Sequence, residues 1–168
     1  CKTGDLVAIF PSLNCSTRAI KPVCRSCAAG IPANCENFAE GAFSPGMFIG
    51  ICKDINGGFA EYCVAHKSQV YCVPSGVSPE SAALVEPLAV GLQAVLDNRP
   101  EDADKVLVIG GGVIGAMVVK CIRALGSGCD IPVVEPSPFA AEYVKRCGAN
   151  RTITGGIIDA AVEITGGR

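Results

Sequence analysis

The chain has 168 residues, a formal net charge of -2, and 49% hydrophobic against 18% charged residues. That length suits one domain or two small ones with a sizeable core, and a high apolar fraction at low net charge excludes an intrinsically disordered chain. Without a basic excess, neither nucleic acid nor an anionic membrane surface is expected as a partner.

The most apolar stretch, Val106 to Val119, is interrupted by glycines and ends at Lys120. It falls short of the roughly 20 apolar residues of a spanning helix. The opening residues do not read as a signal peptide, and the expected compartment is the cytoplasm. The first residue is Cys1 rather than Met, which points to a piece of a longer chain.

In chain order, Asp5 to Phe10 reads as a short apolar strand, and Pro11 to Pro45, rich in Pro, Gly, Asn and Cys, reads as loop. Phe59 to Val64 and Gln69 to Val73 are strand-like runs, the second ended by the Pro74-Ser75-Gly76 turn signal. Ser78 as cap and Pro79 at the first helical position predict a helix to Asp97, bent at Pro87.

Beyond the Asn98-Arg99-Pro100 break the pattern changes. Lys105 to Ile109 reads as a strand buried on both faces of a parallel sheet. Val113 to Leu125 is predicted helical, Ile131 to Glu135 a strand and Pro138 to Cys147 a helix. Thr152 to Thr154 follows as a third short strand, and Ile157 to Thr165 as a helix stopped by Gly166-Gly167. The β-α-β-α-β-α succession gives an α/β fold class. The domain boundary is expected between residues 78 and 79.

Between the first strand and helix of this second part, Gly110-Gly111-Gly112-Val113-Ile114-Gly115 matches G-x-G-x-x-G. Gly110 permits the tight turn, Gly112 lets backbone approach a pyrophosphate, and Gly115 allows helix to pack closely on strand. The N–H groups of Val113 and Ile114 open the helix, where its dipole favours a phosphate. Glu135 closes the next strand, 20 residues after Gly115, where its carboxylate can accept from an adenosine ribose. Pro136 to Ala141 hold no Arg or Lys for a 2′-phosphate, so NAD is expected over NADP.

The cysteines are unevenly placed. Cys15, Cys24, Cys27 and Cys35 crowd the loop region, whereas Cys121, Cys129 and Cys147 sit among apolar or helical neighbours and read as small core hydrophobes. Four thiolates close a tetrahedral site around Zn2+ with no open position; such a site holds a loop and does no chemistry. A lone C-x-x-C also fits a redox pair, but those sit at a helix start after a strand. Unligated thiols are the remaining alternative. The other seven cysteines are expected to pack or stay free. His66, between two strands beside Lys67 and Ser68, reads as a surface-loop residue with no catalytic role.

These residues together resemble the zinc-dependent medium-chain dehydrogenases of alcohols, sorbitol, butanediol and threonine. The resemblance rests on Gly4-Asp5-Leu6-Val7, the cysteine lobe, Gly57-Gly58-Phe59-Ala60-Glu61-Tyr62, Ala82 to Val90, the glycine loop and Glu135. It implies a GroES-like β-rich catalytic domain joined to a Rossmann domain, of which this chain carries the first half with sheet order 3-2-1. It also implies reversible hydride transfer between a secondary alcohol or polyol and NAD.

By the same resemblance Glu86, in Glu86-Pro87-Leu88, is a ligand of the catalytic zinc. The family's other catalytic ligands, a Cys and a His-Glu pair, precede the Gly4-Asp5 strand. The family spaces its structural cysteines C-x2-C-x2-C-x7-C, whereas this chain has C-x8-C-x2-C-x7-C. The place of Cys15 therefore depends on a longer loop returning it to the others. A homo-oligomeric parent enzyme is implied as well. The competing expectation is a non-catalytic module that binds zinc and a dinucleotide.

Overall fold

The computed structural model describes residues 1–167. They form two compact units, Cys1–Ala83 and a second from Leu84 onward.

In the first unit, β1 (Val7–Ile9) pairs antiparallel with β2 (Val70–Cys72), placing Val7 opposite Cys72 and Ile9 opposite Val70. Gln69 locks this pair from the side: its buried amide donates to the carbonyls of Phe10 and Ser12. His66 caps the 3-10 turn at Lys67–Gln69, its Nδ1 accepting from the Ser68 N–H, so its role is local capping. Between β1 and β2 runs a long loop region holding the single-turn helix α1 (Arg25–Ala28).

That loop region packs around Arg18, which is 0% exposed. Its guanidinium donates to the carbonyls of Glu40, Phe43, Ser44 and Gly46 at 2.6–3.1 Å. A buried charge needs partners for its donors; four carbonyls of one loop take up the two terminal nitrogens, while the buried Nε has none among the described residues. The unit closes with α2 (Pro79–Ala82), capped by the Ser78 hydroxyl.

In the second unit, α3 (Val85–Asp97) leads into β3 (Val108–Ile109), α4 (Val113–Ala124), β4 (Pro132–Val134), α5 (Pro138–Arg146), β5 (Arg151–Ile153) and α6 (Ile157–Thr165). The parallel sheet has the order β3-β4-β5, with Val108 beside Val133 and Val133 beside Thr152. Val95, Ala116, Val119, Ile122, Ile131, Val133 and Val144 form its core. Ala116, Val119 and Ile122 share one face of α4, at the three-residue spacing a helix needs to present a stripe. Gly166, with φ 68°, ends α6 in the left-handed conformation that the Gly-Gly stop anticipates.

Four expectations need correction. The predicted helix from Pro79 to Asp97 is interrupted at Ala83-Leu84, not bent at Pro87. Proline clashes with the carbonyl four residues back, so the break falls at Ala83 and Pro87 sits in the first turn of α3, where its missing N–H costs nothing. Phe59–Val64 forms no strand: among the described residues no strand lies beside it, and Phe59, Tyr62 and Val64 are exposed. β3 is buried on one face only. Successive side chains point to opposite faces, so Val108 enters the core while the alternate Ile109 is 59% exposed.

The fourth concerns the cysteines outside the cluster. The turn at Lys2–Asp5 carries Cys1 back beside β2, and a disulfide joins Cys1 to Cys72. Cys52, Cys121, Cys129 and Cys147 are buried and free, and Cys63 is exposed.

Helices α3 and α4 meet through Gly91. A Cβ there would lie 2.9 Å from the backbone of Met117 and Val118, which cannot retract as a side chain could. Gly91→Ala should therefore push the helices apart and cost the second unit about 1–3 kcal/mol. The urea midpoint of its helical signal, followed by circular dichroism, should fall accordingly.

Candidate functional site

Two constellations carry chemistry, one in each unit. In the first, Cys15, Cys24, Cys27 and Cys35 bring their sulfurs within 4.8 Å of one another. The eight-residue separation of Cys15 from Cys24 is a packed turn. The Asn14 side chain accepts from the N–H groups of Ser16 and Thr17, the Ile20 N–H donates to the Cys15 carbonyl at 2.9 Å, and Arg18 anchors the segment. Cys15, fully buried, is thereby turned back onto the other three.

The C-x-x-C pair sits on α1. Cys24 is the N-cap, its sulfur accepting from the Cys27 N–H at 3.5 Å. Glu36, beside Cys35, clasps the same turn by accepting from the Ser26 N–H and hydroxyl.

The sulfur spacing matches a tetrahedral ion. Arms of about 2.3 Å, the zinc–thiolate distance, give edges of about 3.8 Å; the Cys15–Cys35 and Cys24–Cys35 separations are 3.7 and 4.0 Å. The thiols are not alike. The Glu36 backbone N–H, aided by that of Cys27, holds Cys24 down to about 6. Burial pushes Cys27 up to about 12, and Cys35 up as well. An empty site thus holds protons that a dication would displace. A second group, Cys1, Asp5 and Cys72, is exposed, and its two sulfurs are joined to each other.

In the second unit, β3 runs into the glycine loop and α4. Gly110 takes φ 95°, the left-handed turn the loop needs. A Cβ on Gly115 would collide with the Gly110 carbonyl oxygen, whereas one on Gly112 meets nothing within 4 Å. Gly112 is the N-cap of α4 and no side chain caps it, so the first-turn N–H groups at Val113 and Ile114 stay open to a ligand.

Glu135, 9% exposed, follows β4. Its Oε2 accepts from the Gly111 N–H and its Oε1 from the Ser137 N–H, both at 2.7 Å. Gly111 and Ser137 were not anticipated by the spacing. Gly111 occupies an unassigned position of the motif, yet a Cβ there would press on Glu135 and Val144 at 3.1–3.2 Å. Ser137 also caps α5, and a Ser-Pro at a helix start is the signal that could have found it.

Glu86 lies exposed in the first turn of α3 and joins no group of three or more candidate ligands among the described residues.

The chain is similar to galactitol 1-phosphate 5-dehydrogenase of Escherichia coli strain K12, with 32% identity over 149 residues, 89% of this chain and 38% of that protein. Its identity to (R,R)-butanediol dehydrogenase of Bacillus subtilis strain 168 is 35% over 133 residues, 71% of this chain and 38% of that protein. The crystal structure of galactitol-1-phosphate dehydrogenase from Escherichia coli matches with a TM-score of 0.71 at 32% identity, over 90% of this chain and 39% of that one. Its homologues are the zinc-dependent medium-chain alcohol and polyol dehydrogenases.

The chain spans about two fifths of the length of these dehydrogenases, 38% of each of the two relatives above. No family profile matches it. Solved structures of the same α/β fold hold NADH, NADP or NAD. No helix among the described residues is long and apolar enough to cross a membrane.

Two glycines of the loop, Gly112 and Gly115, make opposite predictions. Gly115→Ala should lower the melting temperature of the second unit by several degrees, because loop and helix must part. Gly112→Ala, with open space around it, should leave that temperature unchanged. Thermal unfolding followed by circular dichroism checks both.

Proposed function

We propose that the chain is part of a zinc-dependent oxidoreductase that transfers a hydride between a secondary alcohol or polyol and NAD. On this reading residues 1–78 are a GroES-like segment and residues 79–168 the first half of a Rossmann domain. The observation that carries the proposal is Glu135, a buried carboxylate tied directly to the glycine loop. A strand-end carboxylate held against a phosphate-binding turn is the arrangement that reads an adenosine ribose.

Each chain residue then has a task. The N–H groups of Val113 and Ile114 receive the pyrophosphate, and the space beside Gly112 admits it. The Glu135 oxygens each spend one lone pair on a backbone N–H and keep another for a ribose hydroxyl. The same charge repels a 2′-phosphate, and Pro136 to Ala141 offer no cation to offset it. Cys15, Cys24, Cys27 and Cys35 hold a structural zinc that ties the loop region together.

Glu86, by resemblance, is a ligand of the catalytic zinc, with the remaining ligands supplied from outside this chain. A Lewis-acidic zinc supplies a lowered alcohol pKa, and the nicotinamide supplies the hydride acceptor.

Titration with NAD and NADP tests the dinucleotide half. Glu135→Ala should weaken NAD at least about tenfold, the cost of roughly one charge-assisted hydrogen bond, and NADP much less. Equal losses would sink the ribose contact. Gly112→Ala should weaken both alike.

Metal analysis should find about one zinc per chain, lost in Cys27→Ser; full occupancy in that variant would refute the cluster. Since burial keeps Cys27 and Cys35 protonated in the empty site, zinc uptake should release protons and its apparent affinity should fall as the pH is lowered. Competition with a chromophoric chelator across pH 6–8 would show this; a flat profile would contradict it.

A further inference from the structure

Cys15 is the sulfur whose position short-range spacing does not secure. Cys24 and Cys27 share one helical turn, and Cys35 follows a 3-10 turn at Pro32–Asn34 that is tied back to α1 by Glu36 and Ser26. Cys15 arrives from the far side of an eight-residue turn. Two N–H groups reach its sulfur: the backbone N–H of Cys24 at 3.4 Å, and the side-chain amide of Asn37, 22 residues away, also at 3.4 Å. The Cys24 donor is main chain and survives any substitution except proline. The Asn37 amide does not.

Asn37 is half-buried, and its amide nitrogen bridges the segment after Cys35 to the sulfur of Cys15. Resting on the four-thiol zinc reading, we propose that Asn37 is a positioning residue for that site: its amide donates an N–H···S hydrogen bond that fixes the Cys15 thiolate at the metal and withdraws charge from it. A zinc ligated by four thiolates carries a net charge of about -2. Donors to its sulfurs spread that charge, and partners of this kind are worth about 10- to 100-fold in metal affinity. A neutral amide suits the task, whereas a carboxylate of the same shape would add repulsion.

The test uses the full chain loaded with zinc or with Co2+, whose thiolate charge-transfer band reports the electron density on sulfur. Asn37→Leu should still bind one metal per chain, about 10- to 100-fold more weakly, with that band moved to lower energy because the sulfur has lost a donor. Asn37→Asp keeps the side-chain shape and replaces the donor by an acceptor, so it decides the matter should the Leu variant fail to fold; it should bind more weakly still.

If wild type binds metal and both variants match it in affinity and band energy, the positioning role is overturned while the four-thiol site stands. If wild type takes up neither zinc nor cobalt, the four-thiol site falls, and the role of Asn37 with it.

Discussion

A carboxylate buried at a strand end must find donors, and Glu135 finds them in the N–H groups of Gly111 and Ser137. This one side chain joins the loop after β3 to the loop after β4, so the two turns are set relative to each other. The glycines follow from it. A Cβ on Gly111 would press on the Glu135 and Val144 side chains, and Gly115 has to lack one because the Gly110 carbonyl occupies that space. Gly110 and Gly112 are free of such pressure inside the protein, and of the two only Gly110 has a positive φ. On the proposed reading, the small size of Gly112 leaves room for a pyrophosphate.

The first unit obeys a different constraint. It has a two-stranded ladder and two four-residue helices for regular structure, so its loops are held by backbone bonds within turns and by side chains that serve backbone groups. Arg18 serves four carbonyls of the 40–46 loop, Gln69 serves two beyond β1, and Asn14 organises the turn that returns Cys15. Polar side chains here replace the sheet that would otherwise hold the loops. The four thiols are the centre of this arrangement, and an ion between them would tie three separate stretches of chain to one point.

Much of the second unit was legible because its signals are local. A glycine run after an apolar strand, a Ser-Pro before a helix and a Gly-Gly after one each act within a few residues, and from α4 onward the elements end within one residue of their expected bounds, whereas β3 starts three residues late. The three thiols Cys24, Cys27 and Cys35 were legible for the same reason. Asn37 and Arg18 were not, because their partners lie 22 to 28 residues away and no periodicity marks them. The missed break at Ala83 is a subtler case: Pro87 announced it, but the clash of its ring acts one turn earlier in the chain. Apolar character alone misled at Phe59–Val64, since a strand is a property of a pair and the run has no partner among the described residues.

The eleven cysteines show how little residue type decides by itself. Cys121, Cys129 and Cys147 meet apolar neighbours and behave as small hydrophobes in the core of the second unit. Cys1 and Cys72 meet each other because the turn after residue 1 and the ladder register put their Cα atoms 5.6 Å apart. Cys15, Cys24, Cys27 and Cys35 meet one another, and N–H donors reach Cys15 and Cys24 as well, a combination that separates a ligand set from a cluster of packed thiols. A thiol in an apolar core has no use for a donor; a thiolate does. The donors at Cys15 and Cys24 therefore suit the charged form, whereas burial favours the protonated form of Cys27 and Cys35, whose protons a dication would displace.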